Sequence, residues 1–482
     1  MLLNKQVYPS YSNFPERVLQ FGEGNFLRCF VDWMFDELNT KTDFNGSVVV
    51  VQPIANGMVN MLNDQDGLYT LYLRGLKNGV AESNHKTINI ISRGINPYTD
   101  FDAYLATAEN PDMRFVISNT TEAGISYDDN DTPGLTPPNS YPAKLAIWLH
   151  HRFVHFKGDV TKGMHIIPCE LIDKNADHLK EYILKLSAKW GFEAAFVTWL
   201  DEACTFSNTL VDRIVPGYPR ERITEITAEL GFEDKQVVEG EHFHLWVIQS
   251  SKGLKEELPF PSIGLNVLYV DDITPYKTRK VRILNGAHTA LVPVAYLYGI
   301  DTVRESVEHP IVGKFLNDAI FEEIIPTLDL SKEELEKFAS EVIDRFKNPF
   351  IKHLLMSISL NSWAKFETRV LPSILEYVKR KNAVPQKLTF SLASTIAFYK
   401  GKRGDVDIAL NDDAALLSLL KDAWTKYDGT DASLKLVVTE VLAYDKNWKF
   451  DLNTVAGLTD AVTVHLTNIV NKGMQKAIEA LV

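Results

Sequence analysis

A short apolar strand, a glycine turn and a helix near the N-terminus constrain the fold of this chain more than any other feature. Residues 17–21 form the apolar run, glycines follow at positions 22 and 24, and residues 26–38 carry apolar side chains at helical spacing. This order opens a Rossmann unit, in which the backbone approaches a pyrophosphate at the positive N-terminus of the helix. The fingerprint is partial, because Leu27 stands where a third glycine or alanine is usual.

Two later segments support a dinucleotide-binding sheet. Residues 48–51 are typical of a buried second strand, and residues 115–118 of a buried strand that runs into a polar turn, where a nicotinamide could lie. Neither an acidic residue nor an arginine cluster follows the second strand, so the residues alone leave NAD and NADP open. The residues predicted to bind the cofactor are Phe21, Gly22, Gly24, Asn25, Phe26, Gln52, Asn119 and Thr121.

A second pattern with chemical meaning lies at residues 280–288. The stretch predicts a helix, and at about 100° per residue one side of it presents Lys280, Asn285 and His288. A lysine whose pKa is lowered from about 10.4 can act as acid or base near neutral pH. The amide can hold a developing oxyanion, and the imidazole can orient either partner. The same spacing also fits an exposed lysine beside two polar residues that cap neighbouring backbone.

Length and composition limit the class of protein. A chain of 482 residues is too long for one ordinary core, so we predict two domains, at residues 1–270 and 271–482. Helical periodicity dominates from about residue 280, which predicts an α/β N-terminal Rossmann-type domain followed by a mainly α-helical C-terminal domain. The net charge of −13 argues against a nucleic-acid partner.

Other classes of site and location are also disfavoured by the sequence. Three scattered cysteines give neither a disulfide framework nor a zinc site, so no metal is expected. The first residues lack the apolar run of a signal peptide, and no apolar stretch is long enough to span a membrane. A cytoplasmic protein without a membrane partner is the simplest interpretation.

Four motifs resemble the polyol-specific long-chain dehydrogenase family, which includes mannitol dehydrogenases and hexuronate reductases. They are the glycine turn at 22–26, Ser-Asn-Thr-Thr-Glu at 118–122, Thr-Leu-Val-Asp-Arg-Ile-Val-Pro at 209–216 and Lys-x4-Asn-x2-His at 280–288. The motifs follow the family's order, and the resemblance covers nearly the whole chain. It implies metal-independent hydride transfer with NAD, with Lys280 as general acid–base. Asn285 would donate to the reacting oxygen, and His288 would position the substrate or the lysine.

The resemblance also implies a small sugar acid as substrate. The expected reaction interconverts D-tagaturonate and D-altronate; fructuronate or a polyol such as mannitol is the alternative substrate, and a nucleotide-binding sensor without turnover is the remote alternative. A hexuronate carboxylate needs a cation, for which Lys365 and Arg369, on one predicted helix face, are the candidates. The alternative for this pair is a solvated basic stripe. Asp212 and Arg213 could line the substrate site or form a structural ion pair.

Two positions depart from the family's pattern. Leu171 stands where the family contributes a further asparagine, although Asn175 lies nearby in the sequence. Lys277 stands where mannitol-acting members carry a glutamate. The first departure leaves part of the oxyanion site unassigned, and the second puts a family-style proton relay in doubt.

Overall fold

The computed structural model describes residues 1–77, 79–121, 124–249 and 253–482. Internal packing divides the chain into two units. Unit 1 comprises Met1–Arg74 and Glu82–Ile273, and unit 2 comprises Gly75–Ala81 and Thr274–Val482. Unit 1 contains a parallel sheet with flanking helices and unit 2 is mainly helical, so the predicted fold class is confirmed.

Twelve strands lie between residues 16 and 270 of the described chain. They are β1 (Glu16–Phe21), β2 (Ser47–Val51), β3 (Tyr69–Lys77), β4 (Val80–Ile88), β5 (Ile91–Ile95), β6 (Phe115–Ser118), β7 (His165–Pro168), β8 (Thr205–Phe206), β9 (Thr209–Asp212), β10 (Val238–Gly240), β11 (Leu245–Gln249) and β12 (Val267–Val270). A short hairpin in unit 2 adds β13 (Lys402–Arg403) and β14 (Val406–Asp407).

The central sheet has six parallel strands in the order β5–β2–β1–β6–β7–β8. Phe21 at the end of β1 is in register with Val51 of β2 and Ser118 of β6, and Ser118 is in register with Pro168 of β7. The carboxyl ends of these four strands therefore form one edge. The strand order reverses between β1 and β6, and ligands of such sheets bind at this point. Two three-stranded sheets, β10–β3–β4 and β12–β11–β9, complete the strands of this part of the chain.

Both faces of the central sheet are covered. Val18 of β1 and Val48 and Val50 of β2 belong to the core that packs against the helix after the glycine turn, whereas Leu19 and Val49 belong to the core on the opposite face. Strands buried on both faces need continuous apolar runs, which explains the sequence of β2. The α-helices between residues 25 and 257 are α1 (Asn25–Leu27), α2 (Trp33–Lys41), α3 (Val59–Asn63), α4 (Phe101–Ala106), α5 (Tyr141–His155), α6 (Asn175–Trp190), α7 (Ala194–Ala203), α8 (Ile223–Leu230) and α9 (Leu254–Glu257).

Unit 2 is built around two buried helices. Every residue from Leu388 to Phe398 is buried, and Ser391 Oγ donates to the carbonyl oxygen of Ala290 at 2.9 Å, which joins the two. The α-helices are α10 (Thr274–Arg279), α11 (Gly286–Tyr298), α12 (Val303–Glu308), α13 (Pro310–Asp318), α14 (Lys332–Phe346), α15 (Leu355–Ile358), α16 (Ser362–Arg369), α17 (Leu371–Lys381), α18 (Gln386–Phe398), α19 (Ala414–Thr425), α20 (Asp431–Leu442), α21 (Asp445–Trp448), α22 (Leu458–Lys472) and α23 (Met474–Glu479). Across the described ranges, no helix is both long and apolar enough to cross a membrane.

Candidate active site

The glycine turn after β1 packs directly against the end of β6. Gly22 has a φ of +117°, and a Cβ there would lie 2.8 Å from the carbonyl oxygen of Asn119. Only glycine combines this backbone conformation with such a close approach. A Cβ at Gly24, by contrast, would meet no described atom within 4 Å. The first glycine therefore lets the turn approach β6, and the second leaves open space above the turn.

The helix that follows the turn begins without a side-chain cap. α1, a π-helical segment at Arg28–Asp32 and α2 form one continuous helical run, with Gly24 at its N-cap. In the described part of the chain, no side chain hydrogen-bonds the amides of the first turn as a cap. Uncapped N–H groups and the positive end of the helix favour a phosphate at this position. The open space and the uncapped amides together fit the pyrophosphate of a dinucleotide.

Arg28 fixes the turn from inside unit 1. Its guanidinium donates to the carbonyl oxygen of Glu23 at 3.1 Å and to Asn25 Oδ1 at 2.7 Å, and it also donates to the carbonyl of Gln236. Phe21 is buried, so its contacts with a cofactor would be limited to its backbone. Phe26 packs against the core and stacks on Phe30, with ring centroids 5.1 Å apart. These predicted cofactor residues shape the turn from below.

The side chain of Gln52 organises the loop after β2. Its Nε2 donates to the carbonyl oxygens of Ile54 at 2.8 Å and Ala55 at 3.0 Å, and its Oε1 accepts from the backbone N–H of Val59 at 3.4 Å. The amide is buried and used on both sides by the loop. The role of Gln52 as a cofactor ligand stays a prediction that this arrangement does not favour. The sequence argument missed the local contacts because it considered only the position after the strand.

Asn119 and Thr121 lie at the carboxyl edge of the central sheet. The backbone N–H of Asn119 donates to the carbonyl oxygen of Phe21 at 3.0 Å, and its Nδ2 donates to the carbonyl oxygen of Cys169 at 3.2 Å. Thr121 is exposed and has a φ of +80°, which a β-branched residue rarely adopts. Both residues therefore occupy the edge where the nicotinamide half of a dinucleotide is expected. Glu122, part of the same sequence motif, lies outside the described residues.

Arg213 occupies an interior position in unit 1. Its Nη1 donates to the carbonyl oxygen of Cys29 at 2.5 Å, its Nε donates to that of Glu241 at 2.8 Å, and its guanidinium lies 4.4 Å from the ring centroid of Trp33. Asp212, at the end of β9, is also buried. Of the two roles left open by the sequence, these contacts favour a structural one for Arg213. They differ from the predicted pairing because its partners are backbone carbonyls and an aromatic ring.

The catalytic residues predicted in unit 2 lie on one continuous helix that changes its winding. α10 leads into a π-helical segment at Lys280–Asn285, and α11 follows at once. In α-helical geometry Lys280 and Asn285 would lie about 140° apart, but i→i+5 winding brings residues five apart to about one turn. A Cβ at Gly286 would lie 2.9 Å from the carbonyl oxygen of Arg369, so the end of α16 packs beside Asn285. The winding brings the amine and the amide closer than the sequence argument expected.

His288 is enclosed by aromatic rings. Its ring stacks on Phe346 with centroids 4.0 Å apart and meets His353 edge-on at 5.2 Å. Burial, followed by His353 and the charges of Arg345 and Arg369, holds the pKa of His288 well below its usual range. The imidazole is therefore neutral near neutral pH and acts through hydrogen bonds. Its Nε2 is buried and has no hydrogen-bond partner among the residues that the structure describes.

Two of the three cations around this part of unit 2 were predicted from the sequence. Burial lowers the pKa of Arg369, and burial together with the charge of Arg369 lowers the pKa of Lys365. Lys365 Nζ donates to the carbonyl oxygen of Ile358 at 2.8 Å, so part of its bonding capacity is used locally. The sequence reasoning missed Arg345, which is buried on α14 next to Phe346. No spacing signal links α14 to the helix that carries His288.

Asn175 does not replace the family asparagine for which Leu171 stands. Asn175 is fully buried, and its Nδ2 donates to the carbonyl oxygens of Pro168 at 3.0 Å and Glu170 at 3.2 Å. Its Oδ1 accepts from the backbone N–H of Thr209 at 3.0 Å. The side chain of Leu171 is exposed. The Asn175 amide therefore joins backbone segments inside unit 1.

Two family models account for almost the whole chain. The mannitol dehydrogenase Rossmann domain matches residues 16–262, and the mannitol dehydrogenase C-terminal domain matches residues 272–470. The chain therefore belongs to the mannitol dehydrogenase family, as its motifs indicated. This membership makes it an oxidoreductase that acts on CH–OH groups.

Named relatives and solved structures extend this result. The chain is 49% identical over 477 residues to an altronate oxidoreductase of Bacillus subtilis (strain 168), with 99% of this chain and 97% of the relative covered. It is 48% identical over 480 residues to an altronate oxidoreductase of Klebsiella pneumoniae (strain 342), with 99% of each chain covered. Among solved structures it resembles a Pseudomonas fluorescens mannitol 2-dehydrogenase in ternary complex with NAD and D-mannitol (TM-score 0.66, 21% identity, 100% and 99% covered). It also resembles a D-sorbitol dehydrogenase in substrate-free form (TM-score 0.79, 21% identity, 99% and 100% covered). These two structures share the fold.

Proposed function

We propose that this chain is an NAD-dependent oxidoreductase that interconverts D-altronate and D-tagaturonate. The observation that carries the proposal is the similarity to altronate oxidoreductases, 48–49% identical over 99% of this chain. The matched length includes both the glycine turn of unit 1 and the π-helical segment of unit 2. The substrate is therefore a small sugar acid, and no nucleic acid or membrane is needed as a partner.

Unit 1 supplies the cofactor-binding groups. The open space at Gly24 and the uncapped helix N-terminus would hold the pyrophosphate, and the edge at Asn119 and Thr121 would hold the nicotinamide half. NADH, when bound, supplies the hydride that reduces the keto carbon. The related mannitol 2-dehydrogenase was solved with NAD, which supports NAD as the cofactor here.

Unit 2 supplies the proton and the groups that orient the sugar. Lys280 Nζ gives a proton to the keto oxygen as the carbon is reduced, and takes it back when altronate is oxidised. The amide of Asn285, one π turn along the helix, donates to the same oxygen and stabilises its developing negative charge. Neutral His288, whose buried Nε2 lacks a partner in the described chain, is suited to hydrogen-bond a sugar hydroxyl.

The carboxylate of a hexuronate requires a cation in unit 2, and we assign that role mainly to Arg369. Its guanidinium is partly buried and its charge acts on His288, whereas Lys365 already donates to a backbone carbonyl. Guanidinium–carboxylate pairs are bidentate and gain strength where water is reduced. Arg369 would thus distinguish a keto-uronate from a neutral keto sugar.

Replacing Arg369 with methionine is expected to raise the KM for tagaturonate by about 10-fold or more, because a charge-assisted pair is worth roughly 1.5–3 kcal/mol. The kcat is expected to change less. Steady-state kinetics with NADH held saturating provides the measurement. Arg304→Met is the matched control, since Arg304 is exposed and pairs with Glu308 on its own helix. An unchanged KM in Arg369→Met would remove this residue from the substrate site.

The proposed function is tested by following NADH oxidation with tagaturonate, fructuronate and fructose in parallel, and by repeating each assay with NADPH. Turnover is expected with tagaturonate and NADH. Preference for fructuronate or fructose would overturn the substrate within the same family, and preference for NADPH would overturn the cofactor. Binding of NADH without turnover on any keto sugar would support a nucleotide-binding sensor instead.

We also place the protein in the cytoplasm. Cys29, Cys169 and Cys204 are buried free thiols. Reduced cysteines are typical of proteins that work in a reducing compartment, which supports this location.

A further inference from the structure

A buried carboxylate joins the ends of two central strands in unit 1. Glu170 follows β7 and is 2% exposed. Its Oε1 accepts hydrogen bonds from the backbone N–H and the Oγ1 of Thr120, both at 2.9 Å, and its Oε2 accepts one from Ser118 Oγ at 3.0 Å. The two residues that donate these bonds flank Asn119 on either side. One carboxylate thus holds the segment through which β6 leaves the sheet.

Asn119, between these two donors, touches the glycine turn. Its backbone N–H donates to the carbonyl oxygen of Phe21 at 3.0 Å, and its own carbonyl oxygen lies 2.8 Å from the place of a Cβ on Gly22. Its Nδ2 donates to the carbonyl oxygen of Cys169 at 3.2 Å. A displacement of residues 118–120 would therefore move the wall of the edge where the strand order reverses.

The surroundings of Glu170 point to positioning and give no sign of proton transfer or ion pairing. Burial raises the pKa of Glu170, and the opposing influences are hydrogen bonds from Thr120 and Ser118. Its three donors are two hydroxyls and a backbone amide, which satisfy a carboxylate without a cation. None of the ion pairs between described residues includes Glu170. Such a fully hydrogen-bonded buried group rigidifies its neighbourhood.

We propose that Glu170 is a positioning residue for the nicotinamide half of the cofactor, which it orients by fixing residues 118–121 at the carboxyl edge of the sheet. The proposal rests on the proposed function only in requiring that a nicotinamide dinucleotide binds unit 1. It assigns Glu170 no contact with the reacting atoms. Nicotinamide placement controls the geometry of hydride transfer, so the effect extends from cofactor affinity to kcat.

The test compares NADH with ADP-ribose, which lacks the nicotinamide ring. Glu170→Ala is expected to weaken NADH binding by about 10-fold, roughly 1.4 kcal/mol, while ADP-ribose binding changes by less than about 2-fold. Binding is measured directly, by fluorescence for NADH and by calorimetry for ADP-ribose, without any sugar substrate. General damage to unit 1 would weaken both ligands alike and would overturn the proposal.

Two further variants keep the test decisive if the alanine protein does not fold. Glu170→Gln retains an oxygen that accepts from Thr120 and adds an N–H that donates to Ser118 Oγ, so near-normal NADH affinity is expected. Thr120→Val removes one hydroxyl donor while keeping the shape, and an intermediate loss of NADH affinity is expected. Glu193→Ala is the control, because Glu193 is largely exposed and contacts His150.

The outcomes also separate this proposal from the proposed function. Normal NADH affinity in both Glu170→Ala and Thr120→Val would overturn the positioning role, whatever the wild-type protein reduces. Selective loss of NADH affinity together with wild-type inactivity on tagaturonate would support the positioning role and overturn the substrate. A wild-type protein that binds neither NADH nor ADP-ribose would overturn both.

Discussion

Replacing Lys280 with methionine is expected to lower kcat for tagaturonate reduction by about 10²- to 10⁴-fold, the contribution typical of a general acid–base. Methionine keeps an unbranched side chain of similar length at this half-buried position but carries no proton to donate. Because the ammonium acts on the oxygen that becomes charged as the carbon is reduced, kcat and kcat/KM should fall together. Steady-state and single-turnover kinetics at saturating NADH measure both constants.

The controls for Lys280→Met separate chemistry from folding and cofactor binding. NADH affinity should remain within about 2-fold of wild type, because the glycine turn and the sheet edge belong to unit 1. Lys332→Met is the matched variant, since Lys332 lies on the surface of unit 2 and pairs with Glu336. Activity above about a tenth of wild type in Lys280→Met would mean that another group carries the proton.

The sequence predicted the identity of the residues in the helix at 280–298 better than it predicted their geometry. Apolar periodicity reports which face of a helix is buried, but it does not report where the backbone changes from α to π winding. The spacing found Lys280, Asn285 and His288. The partners of His288, which are Phe346 and His353, come from segments far along the chain and depend on tertiary packing.

The polar residues of unit 1 show a similar limit. Gly22 was assigned from its position alone, and the structure adds the close approach to Asn119 that makes glycine necessary. Gln52 has the position of a ribose ligand, but its amide is used by its own loop. Nothing in the sequence identified Glu170, because its three donors lie on another strand end. A motif gives a residue's place on an element, whereas hydrogen-bond partners are decided by the packing of elements.

A second buried carboxyl, Asp32, forms a pair with Gln20 beneath the glycine turn. Gln20 Nε2 donates to Asp32 Oδ2 at 3.2 Å and to the carbonyl oxygen of Gly22 at 3.1 Å. The remaining oxygens, Gln20 Oε1 and Asp32 Oδ1, are buried and have no partner within the described ranges. Burial raises the pKa of Asp32 to about 7, against a hydrogen bond from Gln20 and the charge of Arg28. A proton on the carboxyl supplies the donor that the amide oxygen lacks.

The stability of unit 1 is therefore expected to fall as the pH rises through about 7. The folded-state pKa of Asp32 lies above its unfolded value of about 3.9, so the folded protein binds this proton more tightly. The resulting stabilisation is fully present below about pH 4 and is lost as the pH rises through the folded pKa. A shift of this size corresponds to a free energy of unfolding on the order of 4 kcal/mol.

Replacing Asp32 with asparagine is expected to remove most of this pH dependence. The asparagine oxygen can accept from Gln20 Nε2 and its amide can donate to Gln20 Oε1, so the buried pair is satisfied without a titrating proton. The variant should be more stable than wild type at about pH 9, and its unfolding free energy should change less between about pH 5 and pH 9. Urea unfolding at several pH values measures the difference, with Asp64→Asn as the exposed control. Identical pH dependence in Asp32→Asn and wild type would mean that Asp32 is ionised in the folded protein throughout this range. Because Gln20 also holds the Gly22 carbonyl, the same variant should retain NADH affinity at high pH better than wild type does.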